Sequence, residues 1–203
     1  MNAAAAGHDM VDLAFALRGD AIAADYAWAL WLGVRERLAW LDGEAIAGIH
    51  PLAGVSGAGD RLYLGRRARL TLRLPRARVG DAQALAGAVF DLGGRVQVEG
   101  EGSARPLQAS AVLYAPFVWV DRDDEAEFVA ECRRLLPACG GDMICGKARS
   151  AARGEGTLRG YSVMLHGLTA AESIDLQCAG LGGERRLGCG LFMPHKSVAA
   201  VGA

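Results

Sequence analysis

The length, composition and charge of the chain restrict it to the folded globular proteins. It has 203 residues, 52% of them hydrophobic and 22% charged, so it is long enough for one large domain or two small ones and too apolar to be disordered. The formal net charge of −1 argues mildly against a nucleic-acid-binding protein, because such domains often have a pI above about 9. No Lys or Arg precedes an apolar segment at the start, and no apolar run reaches membrane length. We therefore expect no signal peptide and no membrane partner.

The cysteine and histidine content bears on location and cofactors. Five cysteines, an odd number without a C-x-x-C pair, favour reduced thiols over a disulfide framework or a zinc site. We therefore expect a cytoplasmic location. The sequence predicts no metal and no cofactor, because the four histidines are scattered: His8, His50, His166 and His195.

The first half of the chain predicts the order βαββαβ. A short apolar strand at 10–17 precedes a helix whose apolar residues recur at helical spacing over 27–41. Two strands follow, at 48–55 and 61–74, and then a short helix and a closing strand at 95–98.

The same order recurs in the second half. A polar linker at 100–103 precedes an apolar strand at 111–120, and Asp124 opens a helix. A hairpin over 143–168 follows, and a capping box that begins at Thr169 starts the last helix.

The repeated order predicts an α+β protein of two tandem ferredoxin-like (RRM-like) folds with a C-terminal glycine-rich loop. We place the N-terminal domain at 1–102. The C-terminal domain, which carries a basic hairpin and the glycine-rich loop, occupies 103–203.

Period-two alternation over 61–74 is the clearest chemical signal. Apolar residues share one face of this segment, and the other face carries Arg61, Tyr63, Arg67, Arg69 and Arg73. Arg66 falls outside the alternation. Arginine pairs with phosphates, and guanidinium and aromatic planes stack on bases, so this face suits single-stranded or looped RNA. A solvated face in an arginine-rich chain is the alternative.

A second basic segment lies in the predicted hairpin. The residues from Gly141 to Ala148 nearly spell a Walker A loop, but Ala148 stands where a Ser or Thr would bind magnesium, and no helix follows. We expect an exposed hairpin tip at 149–156. A basic finger for an RNA groove and a plain surface hairpin both fit this tip better than a nucleotide-binding loop. Its basic residues are Lys147, Arg149, Arg153 and Arg159.

The segment from residue 180 to 192 is rich in glycine. Glycines let a backbone approach a phosphate chain closely and offer amide donors; they are Gly180, Gly182, Gly183, Gly188 and Gly190. Arg185 and Arg186 add positive charge. A flexible helix-to-strand loop is the alternative. The segment is not a dinucleotide fingerprint, because it follows a helix and leads into a strand.

These segments together resemble the CRISPR-associated endoribonucleases that process repeat RNA, which belong to the RAMP superfamily. The glycine-rich loop carries the resemblance to the superfamily. The N-terminal segments resemble its MYXAN-subtype branch: Met10-Val11-Asp12-Leu13-Ala14-Phe15-Ala16-Leu17-Arg18-Gly19, Gly48-Ile49-His50-Pro51 and the strand at 66–75. The likeness extends from about residue 10 to 196.

The resemblance implies metal-independent cleavage of CRISPR precursor RNA within each repeat, by 2′-hydroxyl attack that leaves a 2′,3′-cyclic phosphate. Such chemistry needs a base, an acid and cations around the phosphorane. The catalytic histidine of the family commonly lies in or just after the first helix, which selects His50. Tyr26 would assist, and His195 is the second candidate for the base.

The resemblance also assigns roles to the cations. Lys196 or Arg67 would stabilise the transition state, and Arg149 and Arg153 would hold the repeat stem. Arg185 and Arg186 would hold the backbone near the cut.

The implied partners are CRISPR repeat RNA, as precursor and mature guide, and other Cas subunits of a Cascade-like or transposon-linked complex. The acidic segment at 121–127 is a candidate docking surface for such a subunit, although acids also favour the start of a helix. Two alternatives remain: a non-catalytic RAMP subunit that binds RNA in a CRISPR effector complex, and a ferredoxin-like dimer that binds a small molecule.

Overall fold

The computed structural model describes residues 9–137 and 140–196, so His8 and Cys139 lie outside the described residues. The first half contains β1 (Met10–Arg18), β2 (Ala21–Ala23), α1 (Ala27–Arg37), β3 (Gly48–Ile49), β4 (Gly54–Ser56), β5 (Arg61–Leu64), β6 (Arg69–Pro75), α2 (Val79–Ala82), β7 (Val89–Asp91) and β8 (Arg95–Pro106). The second half contains β9 (Val112–Val118), α3 (Glu125–Leu135), β10 (Asp142–Arg153), β11 (Gly156–His166), α4 (Ala170–Ala179) and β12 (Met193–Pro194).

The strands form two main antiparallel sheets that share one topology. The first sheet has the order β3-β6-β1-β8-β7, and the second has the order β10-β11-β9-β12. When β7 is left out, each sheet contains the four strands of one βαββαβ unit. If these strands are numbered along the chain within their unit, both sheets have the spatial order 2-3-1-4. This repeated order confirms the prediction of two tandem ferredoxin-like folds. A third, small sheet of β2, β5 and β4 lies in the first unit.

Local sequence explains several elements. Asp124 accepts hydrogen bonds from the amides of Ala126 and Glu127 and so caps α3. Thr169 and Glu172 form the reciprocal capping box that starts α4. Both predicted helix starts are confirmed.

Three expectations are wrong in detail. The segment 61–74 is two strands, β5 and β6, which belong to different sheets because the chain turns between Gly65 and Ala68, whose amide donates to the Gly65 carbonyl. The expected linker at 100–103 lies inside β8. The hairpin strands extend to Arg153 and Gly156, so the turn contains only residues 154–155.

The two units share a hydrophobic core. The larger cluster of buried side chains is centred on β1, β6 and α1 of the first unit and includes residues of the second: Phe117, Leu158, Leu187 and Cys189. A smaller cluster lies under α3 and α4. Since β8 continues to Pro106, we propose a boundary after that residue rather than at 102.

Candidate active site

His50 lies at the end of β3, where the chain leaves the first sheet. Its backbone amide donates a hydrogen bond to the Thr71 carbonyl of β6 at 2.8 Å. The next residue, Pro51, has a fixed φ angle and so restricts the backbone conformation there. The side chain is 5% exposed. The imidazole is therefore held between the first sheet and the segments packed on it.

Asp12 and Arg73 surround this histidine on one face of the first sheet. Asp12 of β1 stands directly opposite Arg73 of β6 in the antiparallel register. Its Oδ1 lies 3.2 Å from His50 Nε2 and 2.8 Å from Arg73 Nε, and its Oδ2 lies 2.9 Å from Arg73 Nη2. The carboxylate thus accepts two hydrogen bonds from the guanidinium and contacts the imidazole at the same time.

The charges of this cluster follow from burial and pairing. Burial by itself raises the pKa of Asp12, but the hydrogen bonds from His50 and Arg73 and the positive charge of Arg73 outweigh it and hold that pKa well below its usual range. Burial lowers the pKa of His50; Arg73 and Arg185 lower it further, and Asp12 opposes the change. At neutral pH the carboxyl is ionised and the imidazole is neutral.

Within the described part of the chain, His50 borders a larger and a smaller concavity. The larger, of about 420 Å³, has Asp12 and His50 in its wall together with three exposed arginines: Arg67, Arg69 and Arg105. The smaller, of about 10 Å³, holds at most about one water molecule and is lined by Tyr26, His50 and Arg186, among others. Within the described residues, His50 Nδ1 is buried and has no hydrogen-bond partner.

Tyr26 immediately precedes α1, and its hydroxyl oxygen accepts a hydrogen bond from the Leu52 amide at 2.6 Å. Burial raises the pKa of Tyr26 to about 12, although this hydrogen bond lowers it. The phenol is therefore protonated at neutral pH, so it is able to donate a proton.

The glycine-rich loop packs against the segment that carries His50. A Cβ on Gly188 would lie 3.0 Å from the Pro51 ring, and one on Gly48 would lie 2.9 Å from the Arg185 carbonyl oxygen. The expectation that the glycine amides are offered to phosphate is wrong for four of the five: those of Gly180, Gly183, Gly188 and Gly190 donate to carbonyls within the protein. The absence of a side chain at these glycines allows the close packing, which fixes the position of the His50 segment.

Three of the arginines expected at an RNA surface have internal partners. Arg73 is fully buried, and its Nη1 donates to the carbonyls of Gln177 and Phe192 at 3.0 and 2.7 Å. Arg185 is also buried and donates to carbonyls at the end of α4. Arg61 donates to the carbonyls of Gly93 and Ala21. The prediction that these guanidiniums face solvent is wrong for Arg73 and Arg185.

Arg186 remains half-exposed beside the site. Its Nη2 donates to the Asp42 carbonyl at 2.6 Å, and its guanidinium lies 5.2 Å from the centre of the Trp31 ring. Arg66, like Arg67 and Arg69, is exposed.

The hairpin arginines form a separate basic surface. Arg149 and Arg159 are exposed and, with Asp123 and Tyr161, line a groove of about 300 Å³. Arg153 is paired with Glu184 of the glycine-rich loop. Lys147 is exposed on β10.

The second predicted base lies elsewhere. The ring of His195 contacts Tyr114, with 5.6 Å between ring centroids, and borders neither concavity that His50 borders. Lys196 follows it and is exposed. The structure therefore brings Tyr26 and His50 together but not His195.

Comparison with known proteins decides the family. A family model described as "Cas6 Crispr" matches residues 11–197. The chain belongs to the Cas6 family. It is 34% identical over 194 residues to the CRISPR-associated endonuclease Cas6 of Myxococcus xanthus, covering 94% of this chain and 84% of that protein.

Solved structures share the fold of this Cas6 chain. A protein described as a RAMP protein binding different RNA substrates superposes with a TM-score of 0.70 at 10% identity, covering 92% of this chain and all of the other. A Cas6-related protein of Pyrococcus furiosus gives a TM-score of 0.66 at 12% identity, covering 90% of this chain and 97% of the other.

Two residues of this Cas6 site were not predicted from the sequence. Asp12 is the only acid in the apolar run of β1, which was a usable signal, because an ionisable residue in such a strand needs a partner. Arg105 lies at the end of β8 and had no comparable signal. Within the described residues, no three metal-ligating side chains cluster together, and no helix is long and apolar enough to cross a membrane.

Proposed function

We propose that this protein is a metal-independent endoribonuclease that cleaves CRISPR precursor RNA within its repeats, with His50 as the base. The observation that carries this proposal is a buried imidazole with one unpartnered ring nitrogen, in the wall of a cleft with three exposed arginines. The Cas6-family relative of Myxococcus is itself named an endonuclease. We propose the cytoplasm as its location.

The arginines of the cleft supply what an RNA backbone requires. All three are exposed there: Arg69 and Arg105 lie on the face of the first sheet that also carries Asp12, and Arg67 lies in the turn before β6. Their guanidiniums are able to neutralise phosphates and hold the strand across the cleft. One of them, Arg67, is a candidate to stabilise the charge that develops on the phosphorane.

The reaction needs two proton transfers. A ring nitrogen of His50 takes the proton of the 2′-hydroxyl as its oxygen bonds to phosphorus, and the bond from phosphorus to the 5′-oxygen breaks. The leaving oxygen takes a proton, for which Tyr26 is the candidate donor, because its phenol is protonated and lines the same small cavity as His50. The products are a 2′,3′-cyclic phosphate and a 5′-hydroxyl.

The imidazole is covered in this structure. A 2′-hydroxyl reaches the unpartnered nitrogen only after a side chain of the cavity wall moves. Arg186 is in that wall and is a suitable group to move, because a phosphate is able to compete with the carbonyl and the carboxylate of Asp42 for its guanidinium.

The test is cleavage of repeat RNA from the same locus in the presence of EDTA. Wild type, His50→Ala and His195→Ala are compared, with His166→Ala as the matched control because His166 lies on β11 away from the cleft. We expect one cut with a cyclic phosphate end, lost only in His50→Ala, while gel-shift binding persists in every variant. Cleavage by His50→Ala at the wild-type rate would refute the assignment of the base.

Two other outcomes have defined meanings. RNA that shifts on the gel but stays intact with every protein would point to the non-catalytic RAMP subunit. Activity that EDTA removes and Mg²⁺ restores would contradict the metal-independent mechanism.

A further inference from the structure

Asp12 is the partner of the candidate base and carries no role in the mechanism above. We propose that Asp12 is a positioning residue, which fixes His50 in the tautomer with hydrogen on Nε2, and that Arg73 holds Asp12 in place for this task. The inference rests on the proposed function, since it explains how His50 is prepared for it.

The tautomer follows from hydrogen-bonding capacity. An ionised carboxylate only accepts hydrogen bonds, so the 3.2 Å contact between Asp12 Oδ1 and His50 Nε2 requires a hydrogen on Nε2. In a neutral imidazole the other nitrogen then carries the free lone pair. That nitrogen is Nδ1, the atom without a partner within the described residues. Nδ1 is thus the atom that takes the 2′-hydroxyl proton.

Arg73 determines where the carboxylate sits. Its Nε and Nη2 bind the two oxygens of Asp12, while its Nη1 binds the carbonyls of Gln177 and Phe192. The guanidinium is planar and completely buried, so these four hydrogen bonds leave little freedom of rotation. Asp12 is thereby fixed relative to β3 and His50.

The charge of Asp12 matters once the proton moves. When Nδ1 takes the proton, His50 becomes an imidazolium with hydrogen on both nitrogens. The charged groups that act on it are Asp12 of β1, Arg73 of β6 and Arg185 of the glycine-rich loop. Two further groups border its small cavity, the neutral phenol of Tyr26 and the guanidinium of Arg186. Arg67, Arg69 and Arg105 line the larger cleft beside it. Asp12 is the one negative charge among these groups, so it stabilises the imidazolium against the surrounding arginines.

The first arm of the test is the ring tautomer of wild-type His50, measured by ¹⁵N–¹H NMR and assigned by the signals that disappear in His50→Gln. We expect hydrogen on Nε2 at pH 7. Hydrogen on Nδ1 in the wild type would overturn the proposal without any variant having to fold.

The second arm is the kinetics of Asp12→Asn, a nearly isosteric change. We expect single-turnover cleavage to slow by about 10²-fold or more, with unchanged RNA affinity. The lower apparent pKa of the rate profile should fall, because the imidazolium loses its negative neighbour. The matched control is Asp9→Asn, which removes an exposed ion pair with Arg76 and should change neither value.

The outcomes separate this inference from the proposed function. Cleavage by folded Asp12→Asn at the wild-type rate and with the wild-type pH profile would overturn the positioning role, while His50 would stay the base. If the wild type cleaves no repeat RNA, the proposed function fails and the NMR arm alone decides the tautomer. If Asp12→Asn does not fold, because the buried Arg73 charge has lost its partner, the wild-type NMR result again decides.

Discussion

Arg153 of the hairpin and Glu184 of the glycine-rich loop form an ion pair with 3.1 Å between Nη2 and Oε1. Arg149 lies on the same strand, is exposed and borders the groove of about 300 Å³. The two hairpin arginines therefore differ in what a phosphate must displace. An RNA phosphate competes with Glu184 for Arg153, whereas Arg149 forms no such ion pair with the carboxylates of the described residues.

We predict that Arg149→Ala weakens binding of repeat RNA more than Arg153→Ala. Loss of one phosphate contact should reduce the slope of log K against log salt by about 1. The measurement is a salt titration of RNA affinity. The control is Arg134→Ala, because Arg134 is an exposed arginine of α3 that pairs with Glu131. Equal losses for the two hairpin variants would show that the Glu184 pair does not restrain Arg153.

We predict that Gly190→Ala destabilises the fold. Gly190 has φ +68°, and an added Cβ would collide with the carbonyl of Leu181, which cannot move freely because it is backbone. The conformational penalty and the overlap together should lower the free energy of unfolding by at least about 2 kcal/mol. Denaturant unfolding measures this.

Gly80→Ala is the matched control for that change. Gly80 lies in α2, and a Cβ there would meet nothing within 4 Å. Its substitution should leave stability unchanged or raise it by up to about 1 kcal/mol. Similar losses in both variants would contradict the rigid packing of the glycine-rich loop.

We predict that Tyr26→Phe costs stability as well as activity. The change leaves the buried Leu52 amide without its acceptor, which should lower the free energy of unfolding by about 1–3 kcal/mol. If Tyr26 donates the proton to the leaving oxygen, cleavage measured well below the unfolding temperature should also slow. An unchanged rate in the folded variant would leave Tyr26 with a structural role only.

We predict that stability falls as the pH drops below about 6.5, the ordinary pKa of histidine. The folded pKa of His50 is lowered, so the unfolded chain binds a proton there that the native protein does not, and stability is present above this pH and lost below it. The slope should reach at most about 1.4 kcal/mol per pH unit. Asp12, whose folded pKa is also lowered, adds a further loss below its usual value of 3.8.

Urea unfolding between pH 7 and 5 tests this dependence. His50→Gln removes the titrating group and should flatten the curve, whereas the control His166→Gln should keep the wild-type slope. A wild-type slope in His50→Gln would mean that another group causes the acid sensitivity.

Local patterns predicted the elements, and contacts between distant residues determined the site. The capping box at Thr169 and the hairpin were predictable because their signals lie within a few neighbouring residues. Alternation placed Arg73 on the same face as Arg69, which is correct for a strand. It could not reveal that Phe192, 119 residues further along, covers that position.

The same limit applies to the glycine-rich loop. Its glycines are equally compatible with an open phosphate-binding turn and with close packing. Only the tertiary structure shows that the amide of Gly190 donates a hydrogen bond to the carbonyl of Phe117. His50 was selected by its place after the first helix, but its contact with Asp12 depends on the register of β1 with β6, which the sequence does not specify.

Arg73 gives the duplicated architecture a consequence for engineering. Its guanidinium joins Asp12 of the first unit to two carbonyls of the second, so neither unit is complete without the other. Fragments divided at 107–111 should regain nuclease activity only on reassembly, because separation leaves a cation without its acceptors. A chimera that takes its second unit from a relative must place both carbonyls within hydrogen-bonding distance of Arg73 Nη1. This requirement holds even if the RNA-binding surface of that unit is similar.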